Sequence, residues 1–435
     1  MRHLFVAKTV GLSQALGHSD RNGWNRDPMR LIISFASLLL SVLLLQLSSG
    51  GVGPLDALSG LNQGFTTTEI GMLGSAHFFG FFIGCWWAPR LMGSIGHSRA
   101  FAAFAATGAI GILAHMMLVS PTAWAIMRVA SGLCVAGCYT VIEAWLQAKL
   151  TNQLRGRVMG AYRLVDVGGS LSAQLLIGVL EPASYVSYNL LAILCCASLL
   201  PLTLSRAAPP ETPEAPRLRP LMVWRISPLA AAGVIVSAIT SASFRMVGPL
   251  YGTEVGLPVE EIALFLAAFV LGGAFSQVPV GWLADKLDRR WVLITLSGAA
   301  IFSSVITVAA SSLGPTAIFA TAVFFGMTTF PIFSVSSAHA ADFATPEQQV
   351  ELAAAIMFAY AVGAIARPLV SSYLMDSFGP RALFLFIATV HLALILFSLG
   401  RMRSRPTVGS RTHYVWLPRT SFSIGRLIER RRSRD

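Results

Sequence analysis

Apolar and polar positions along this chain come in blocks. Apolar runs of bilayer-spanning length, about 20 residues each, recur twelve times, at 31–51, 69–88, 100–119, 121–148, 158–180, 184–205, 228–250, 261–284, 291–312, 315–340, 349–373 and 381–400. Twelve passes return both ends of the chain to the same side, and the pattern predicts an all-α membrane protein. The residues ahead of the first run are polar and basic, and Lys8 interrupts their only apolar patch, so a cleaved signal peptide is not expected. Met29, directly before the first run, is the expected start.

Lysine and arginine sort to one face. Five precede the first run, two, three, four and three fall in successive loops on that face, its last loop holds none, and ten lie in the tail. The opposite loops hold only Arg381, together with Asp56, Glu181, Glu254 and Glu260. By the positive-inside rule both termini are cytoplasmic, which fits a multi-pass protein of a bacterial inner membrane. The stretch from Arg206 to Arg225 carries Pro209-Pro210-Glu211-Thr212-Pro213-Glu214-Ala215-Pro216, which suits a flexible tether rather than a helix interior. The expected organisation is therefore a cytoplasmic segment 1–30, a six-helix bundle 31–205, a cytoplasmic linker 206–227, a second six-helix bundle 228–401 and a basic cytoplasmic tail 402–435. A weak internal repeat agrees with it. A shift of 196 residues lays Ala88-Pro89-Arg90 on Ala284-Asp285-Lys286, and one of 198 lays Val158-Met159-Gly160-Ala161-Tyr162 on Ile356-Met357-Phe358-Ala359-Tyr360.

Composition sharpens the class. Hydrophobic residues make up 54% and charged residues 12% of the 435, with a mean hydropathy of +0.66. A soluble domain of this size does not carry such a surface. The net charge of +12 lies in loops and tail, where anionic headgroups account for it, so nucleic-acid binding is not expected. All five cysteines (Cys85, Cys134, Cys138, Cys195, Cys196) fall in apolar runs and read as packing residues, not disulfides or metal ligands. The chain has no G-x-x-x-x-G-K-[ST], H-E-x-x-H or G-x-S-x-G. No enzyme activity, cofactor or metal is expected, and any solute movement would be driven by an ion or solute gradient.

One dense charged knot separates two long apolar runs: Gly281-Trp282-Leu283-Ala284-Asp285-Lys286-Leu287-Asp288-Arg289-Arg290. It resembles the G-x-L-A-D-R-x-G-R-R loop between the second and third helices of each half of major facilitator superfamily transporters, with Asp288 in place of a glycine. Gly281, Asp285, Lys286, Arg289 and Arg290 are the residues that match. The second span, Ala76-His77-Phe78-Phe79-Gly80-Phe81-Phe82-Ile83-Gly84-Cys85, looks like the YcaD-like branch. So do Ala88-Pro89-Arg90-Leu91, Arg128 with Gly132, Val141-Ile142-Glu143-Ala144-Trp145-Leu146 and Arg155-Gly156-Arg157-Val158. The resemblance covers about residues 30–400. It implies two six-helix bundles that rock about a central site; Pro89, where the superfamily has aspartate, argues against an ion-pair gate there.

Ionisable groups inside spans are costly and are the functional candidates. Arg128, Arg245 and Arg367 lie in the outer third of their spans, where the resemblance implies a central cavity, and three guanidiniums would hold an anion; snorkelling to the interface is the alternative. Glu143 with Arg163 and Asp166 is expected to form an inner gate, or else a static ion pair. His339, one turn before Asp342, is expected either to relay protons with it or simply to pack. His77, His115 and His391 are weaker candidates. Trp145, Trp282, Trp291 and Trp86-Trp87 read as interfacial anchors, and Gly80-x-x-x-Gly84 and Gly156-x-x-x-Gly160 as helix contacts. In the tail, Phe422, Ile424, Leu427 and Ile428 suit a short amphipathic helix on the inner leaflet, or disorder. The chain thus reads as a monomeric secondary transporter of a small organic solute, proton-coupled and favouring an anionic or amphiphilic substrate. A proton-coupled multidrug exporter and a non-transporting scaffold or sensor are the alternatives.

Overall fold

The computed structural model describes residues 28–149, 152–204, 219–345 and 348–404, together with Thr412 and Tyr414. The described residues are helical, with no strand. The first half comprises α1 (Pro28–Asn62), α2 (Thr67–Ile95), α3 (His97–Ala114), α4 (Pro121–Lys149), α5 (Asn152–Ile177) and a sixth span made of α6 (Tyr185–Ala197) and α7 (Leu199–Thr203). A short α8 (Met222–Ile226) leads into the second half: α9 (Pro228–Glu254), α10 (Val259–Lys286), α11 (Arg289–Ala310), a tenth span broken into α12 (Pro315–Thr329) and α13 (Pro331–Ala341), α14 (Gln349–Phe378) and α15 (Arg381–Ser404). These are the twelve passes expected, arranged as two six-helix bundles. The expected start at Met29, the proline-bearing tether and the amphipathic stretch 422–428 fall outside the described residues, apart from Met29's own place in α1.

Ten of these spans are long and apolar enough to cross a bilayer by composition alone. The other two are α3, of 18 residues, and α5. In α5 the reason is chemical: Arg163, Asp166, Ser170 and Gln174 recur at steps of three and four and so share one face, which lines the central cavity.

Close helix crossings hold each half together, and they are built alike. A methyl on Gly80 would run into the Val129 carbonyl oxygen, and one on Gly132 into that of His77, so α2 and α4 touch backbone to backbone. Gly272 against Val323 and Gly326 against Phe269 reproduce the contact between α10 and α12. Small residues are what permit this approach where lipid offers no hydrophobic drive. Gly84 meets Leu133 in the same seam, with 2.8 Å from its would-be Cβ to the carbonyl oxygen. Gly160, by contrast, faces open space, so that member of the second expected glycine pair is no contact point.

Two helix boundaries and one tryptophan depart from the sequence reading. The first helix does not end at residue 51 but continues through Gly53-Pro54 to Asn62, which places Asp56 inside a span, fully buried, rather than in a loop. Interior proline is tolerated because neighbouring helices shield the freed backbone groups; Pro89, Pro249, Pro279 and Pro368 are likewise interior. The third helix ends at Ala114, short of residue 119. Trp145 is 3% exposed and packs on the His97 ring at 5.9 Å, so it is a core residue, whereas Trp86, Trp87, Trp282 and Trp291 are exposed as interfacial anchors should be. Four of the cysteines are buried and all five are free.

The two halves meet along α2 with α14 and α5 with α10. At the end opposite the basic loops, a methyl on Gly71 would strike Ser372, and one on Gly178 would come within 3.2 Å of Ala263. The two halves are in close contact there.

Candidate functional site

A cavity of about 180 Å³ lies between the halves. The first half contributes Gln46, Ser49, His77, Phe78, Phe81, Arg128, Tyr139, Arg163, Asp166 and Gln174, and the second contributes Arg245, Met246, Gln277, Phe330, Ser334 and Tyr360. Aromatic rings thus wall a space into which three guanidiniums and one carboxylate project.

The three cations differ in their surroundings. Arg128 is 2% exposed, with Nε 3.4 Å from Asp56 Oδ2 and Nη2 4.0 Å from the Met246 sulfur. Its charge is matched within its own half, so it is not the free anion ligand expected of it. Arg163 is buried, and its guanidinium lies over the Tyr162 ring, 5.1 Å from the centroid. Arg245 is exposed to the cavity and has no ion pair or hydrogen bond among the described residues. Arg367 lies on α14, but its side chain is outside the described residues.

The acids are held by tyrosines. Asp166 Oδ1 accepts from Tyr139 Oη at 2.8 Å and from Gln46 Nε2 at 3.3 Å, and buried Glu143 accepts from Tyr162 Oη at 3.1 Å. Tyr162 thus touches both Glu143 and Arg163, while Asp166 is held by Tyr139 and Gln46. The tyrosine hydroxyls satisfy carboxylates that would otherwise be costly at this depth.

Sequence reading put Asp56 in a loop and did not pair it with Arg128, His115 or Tyr188. Asp56 Oδ1 accepts from Tyr188 Oη at 2.9 Å, and Oδ2 lies 3.4 Å from His115 Nε2 as well as from Arg128. His115 stacks on Tyr188 at 5.1 Å, and its Nδ1 sits 2.7 Å from the Gly111 carbonyl oxygen, which it must reach as a donor. The signal was an acid just beyond a Gly-Gly-x-Gly-Pro stretch that looked like a helix end. Neither His115 nor Tyr188 announces the pairing in sequence.

The charged loop at the basic end is a separate centre. Asp288 caps α11, accepting from Arg290 N at 3.0 Å, and holds the Arg290 guanidinium through both its oxygens. Arg289 is 1% exposed and donates to Asp342 Oδ1 at 2.6 Å and to the Ala338 carbonyl at 2.7 Å, tying α11 to α13. It also donates to the Thr412 hydroxyl at 3.1 Å and to its carbonyl, while Asp342 accepts from Thr412 N at 2.8 Å. Asp285 lies 3.6 Å from Arg289 and accepts from Tyr414 N, and Lys286 covers the Trp282 ring at 4.0 Å. The Tyr414 ring occupies the space a Cβ on Gly281 would need, which is why glycine stands there. Asp342 is thereby committed to Arg289 and Thr412. His339 packs edge-on against Phe343 and shares a small pocket with Arg290 and Arg401.

Comparison with known proteins agrees with this architecture. Residues 229–431 match the family model of the Major Facilitator Superfamily, and the MFS-type transporter YcaD of Salmonella arizonae is 28% identical over 377 residues, 85% of this chain and 96% of that protein. The second half of the chain thus matches the major facilitator superfamily, and nearly the whole chain aligns with MFS-type transporters. Solved transporters share the fold. The nucleoside transporter NupG superposes with a TM-score of 0.70 at 14% identity, covering 86% of this chain and all of NupG. A bacterial homologue of the human lysosomal transporter Spinster, inward-facing and occupied, gives 0.70 at 15% identity over 87% and 98% of the two chains. The transporter is thus a membrane-embedded carrier of small molecules and not an enzyme, consistent with the YcaD-like resemblance of its second and fourth spans.

Proposed function

We propose that this protein is a secondary active transporter of a small organic anion, working by alternating access in a bacterial inner membrane with both termini in the cytoplasm. The observation that carries the reading is Arg245. It projects from the second half into a cavity shared with the first, exposed there and with no close ion pair or hydrogen bond among the described residues. A guanidinium so placed binds a carboxylate or phosphate through paired donors. Met246, next to it, reaches Arg128 across the interface, so an anion drawn to Arg245 would pull on both halves. The close contact of the halves at the end opposite the basic loops supports access from the basic side.

Protons are the driving ion in this reading. Asp56 and His115 face each other in a dry pocket with Arg128 and Tyr188. Because His115 Nδ1 donates to a carbonyl, its Nε2 can face the Asp56 carboxylate favourably only if a proton lies on one of the two. Glu143, Tyr162 and Arg163 then serve as the gate toward the basic end. The test is uptake into proteoliposomes of an organic-acid library under an imposed pH gradient. Arg245→Gln should abolish uptake at unchanged melting temperature; uptake retained in that variant would overturn the anion assignment.

A further inference from the structure

At the end opposite the basic loops, α5 and α10 approach each other through small residues, Gly178 against Ala263. They are the fifth and eighth passes and so run antiparallel, with numbering that falls along α5 and rises along α10 toward the basic end. Eighteen residues make five turns of an α-helix at 3.6 residues each and return to the same face. Eighteen residues from Gly178 stands Gly160, and eighteen from Ala263 stands Gly281. A second small-residue contact between α5 and α10 is thereby laid out at the basic end, in register with the first. It is not made in this conformation. Gly160 is exposed with nothing within 4 Å of its would-be Cβ, whereas the would-be Cβ of Gly281 lies 2.6 Å from Cδ1 of Tyr414.

Tyr414 is firmly seated in that place. Its Oη donates to Gln277 Oε1 at 2.8 Å and its N to Asp285 Oδ1 at 2.6 Å, so the ring lies over Gly281 between residues one turn to either side. Two positions earlier, the Thr412 hydroxyl accepts from Arg289 at 3.1 Å and donates to Asp342 Oδ1 at 2.7 Å. Gln277 itself lines the central cavity, which puts the ring one helical turn from the solute space. Glycine on both helices suits a close crossing, and a tyrosine ring between them forbids it. We infer that the tail segment carrying Thr412 and Tyr414 is an autoinhibitory wedge: it occupies the surface of α10 on which α5 closes, holds the basic end open, and has to leave before the halves rock to the opposite state. The inference rests on the alternating-access reading and on nothing about the solute.

Purified full-length protein in detergent, with exposed Cys196 replaced by serine, tests this by the rate of maleimide labelling at two reporters. Ser372→Cys is buried against Gly71 at the opposite contact and reacts only when that end opens. Gly160→Cys reacts while the basic end is open. With the tail intact, the reporter at 160 should label fast and the one at 372 slowly. Tyr414→Ala should raise the rate at 372 about fivefold or more, in proportion to the population gained by the state closed at the basic end once a hydrogen-bonded contact is lost. Gly160→Leu, whose side chain enters open space here but obstructs closure, should cancel that rise when combined with Tyr414→Ala; general loosening of the protein would not be cancelled. A rate at 372 that Tyr414→Ala leaves unchanged, or a rise that Gly160→Leu leaves intact, would overturn the wedge while alternating access stands. A reporter at 160 that fails to label with the tail in place would overturn both.

Discussion

Replacing Gly132 with alanine tests the claim that backbone contact, rather than general greasiness, builds each bundle. The added methyl would point at the His77 carbonyl oxygen from well under the 3.0 Å that real Cβ atoms keep. The obstacle is main chain, so no rotamer change relieves it, and α2 and α4 must separate by more than an ångström along the seam that also holds Gly80 and Gly84. Overpacking of a tight core costs about 1–3 kcal/mol, and an obstacle that cannot rotate away belongs at the upper end. Alanine returns about 1 kcal/mol of helix propensity. The net loss is about 2 kcal/mol, expected as a clearly lower melting temperature of the detergent-solubilised protein and reduced yield of monodisperse material. Gly160→Ala is the matched control, since nothing lies within 4 Å of its would-be Cβ; it should be neutral or slightly stabilising. Equal melting temperatures for the two variants would refute the argument. The repeat adds a second check: Gly326→Ala, facing Phe269 in the other half, should cost about as much as Gly132→Ala.

Other expectations follow from the charged centres. Asp56→Asn should leave the protein folded but uncouple solute uptake from the pH gradient, read with a pH dye inside proteoliposomes; coupling that survives would remove Asp56 from the proton path. Arg289→Met leaves buried Asp342 without its guanidinium and should destabilise by about 3–5 kcal/mol, measured as thermal unfolding, with Arg289→Lys recovering only part because one ammonium cannot reach Asp342, Ala338 and Thr412 together. Tyr414→Ala should increase hydrogen exchange around residues 281–289; unchanged protection there would mean that the tail contact contributes nothing to holding the loop.

Much of the fold is legible in the sequence because a bilayer leaves so few options. Backbone groups must be satisfied within each span, so apolar runs of the right length become helices, and basic residues stay out of the membrane and mark its loops. Twelve passes, two halves and the charged loop at Gly281 follow from that alone, as do Arg245 and Asp166 as ionisable groups within spans. What the sequence could not decide is which charge meets which. Asp56 read as a loop acid because glycine and proline end helices in water; inside a bundle the helix continues, and the same carboxylate becomes the partner of Arg128, His115 and Tyr188 from three other helices. Arg128 and Arg245 look alike along the chain, yet one is neutralised and the other open. Partners for buried charges are chosen by helix crossings tens to hundreds of residues apart, and those crossings rest on packing between backbones that no local pattern encodes.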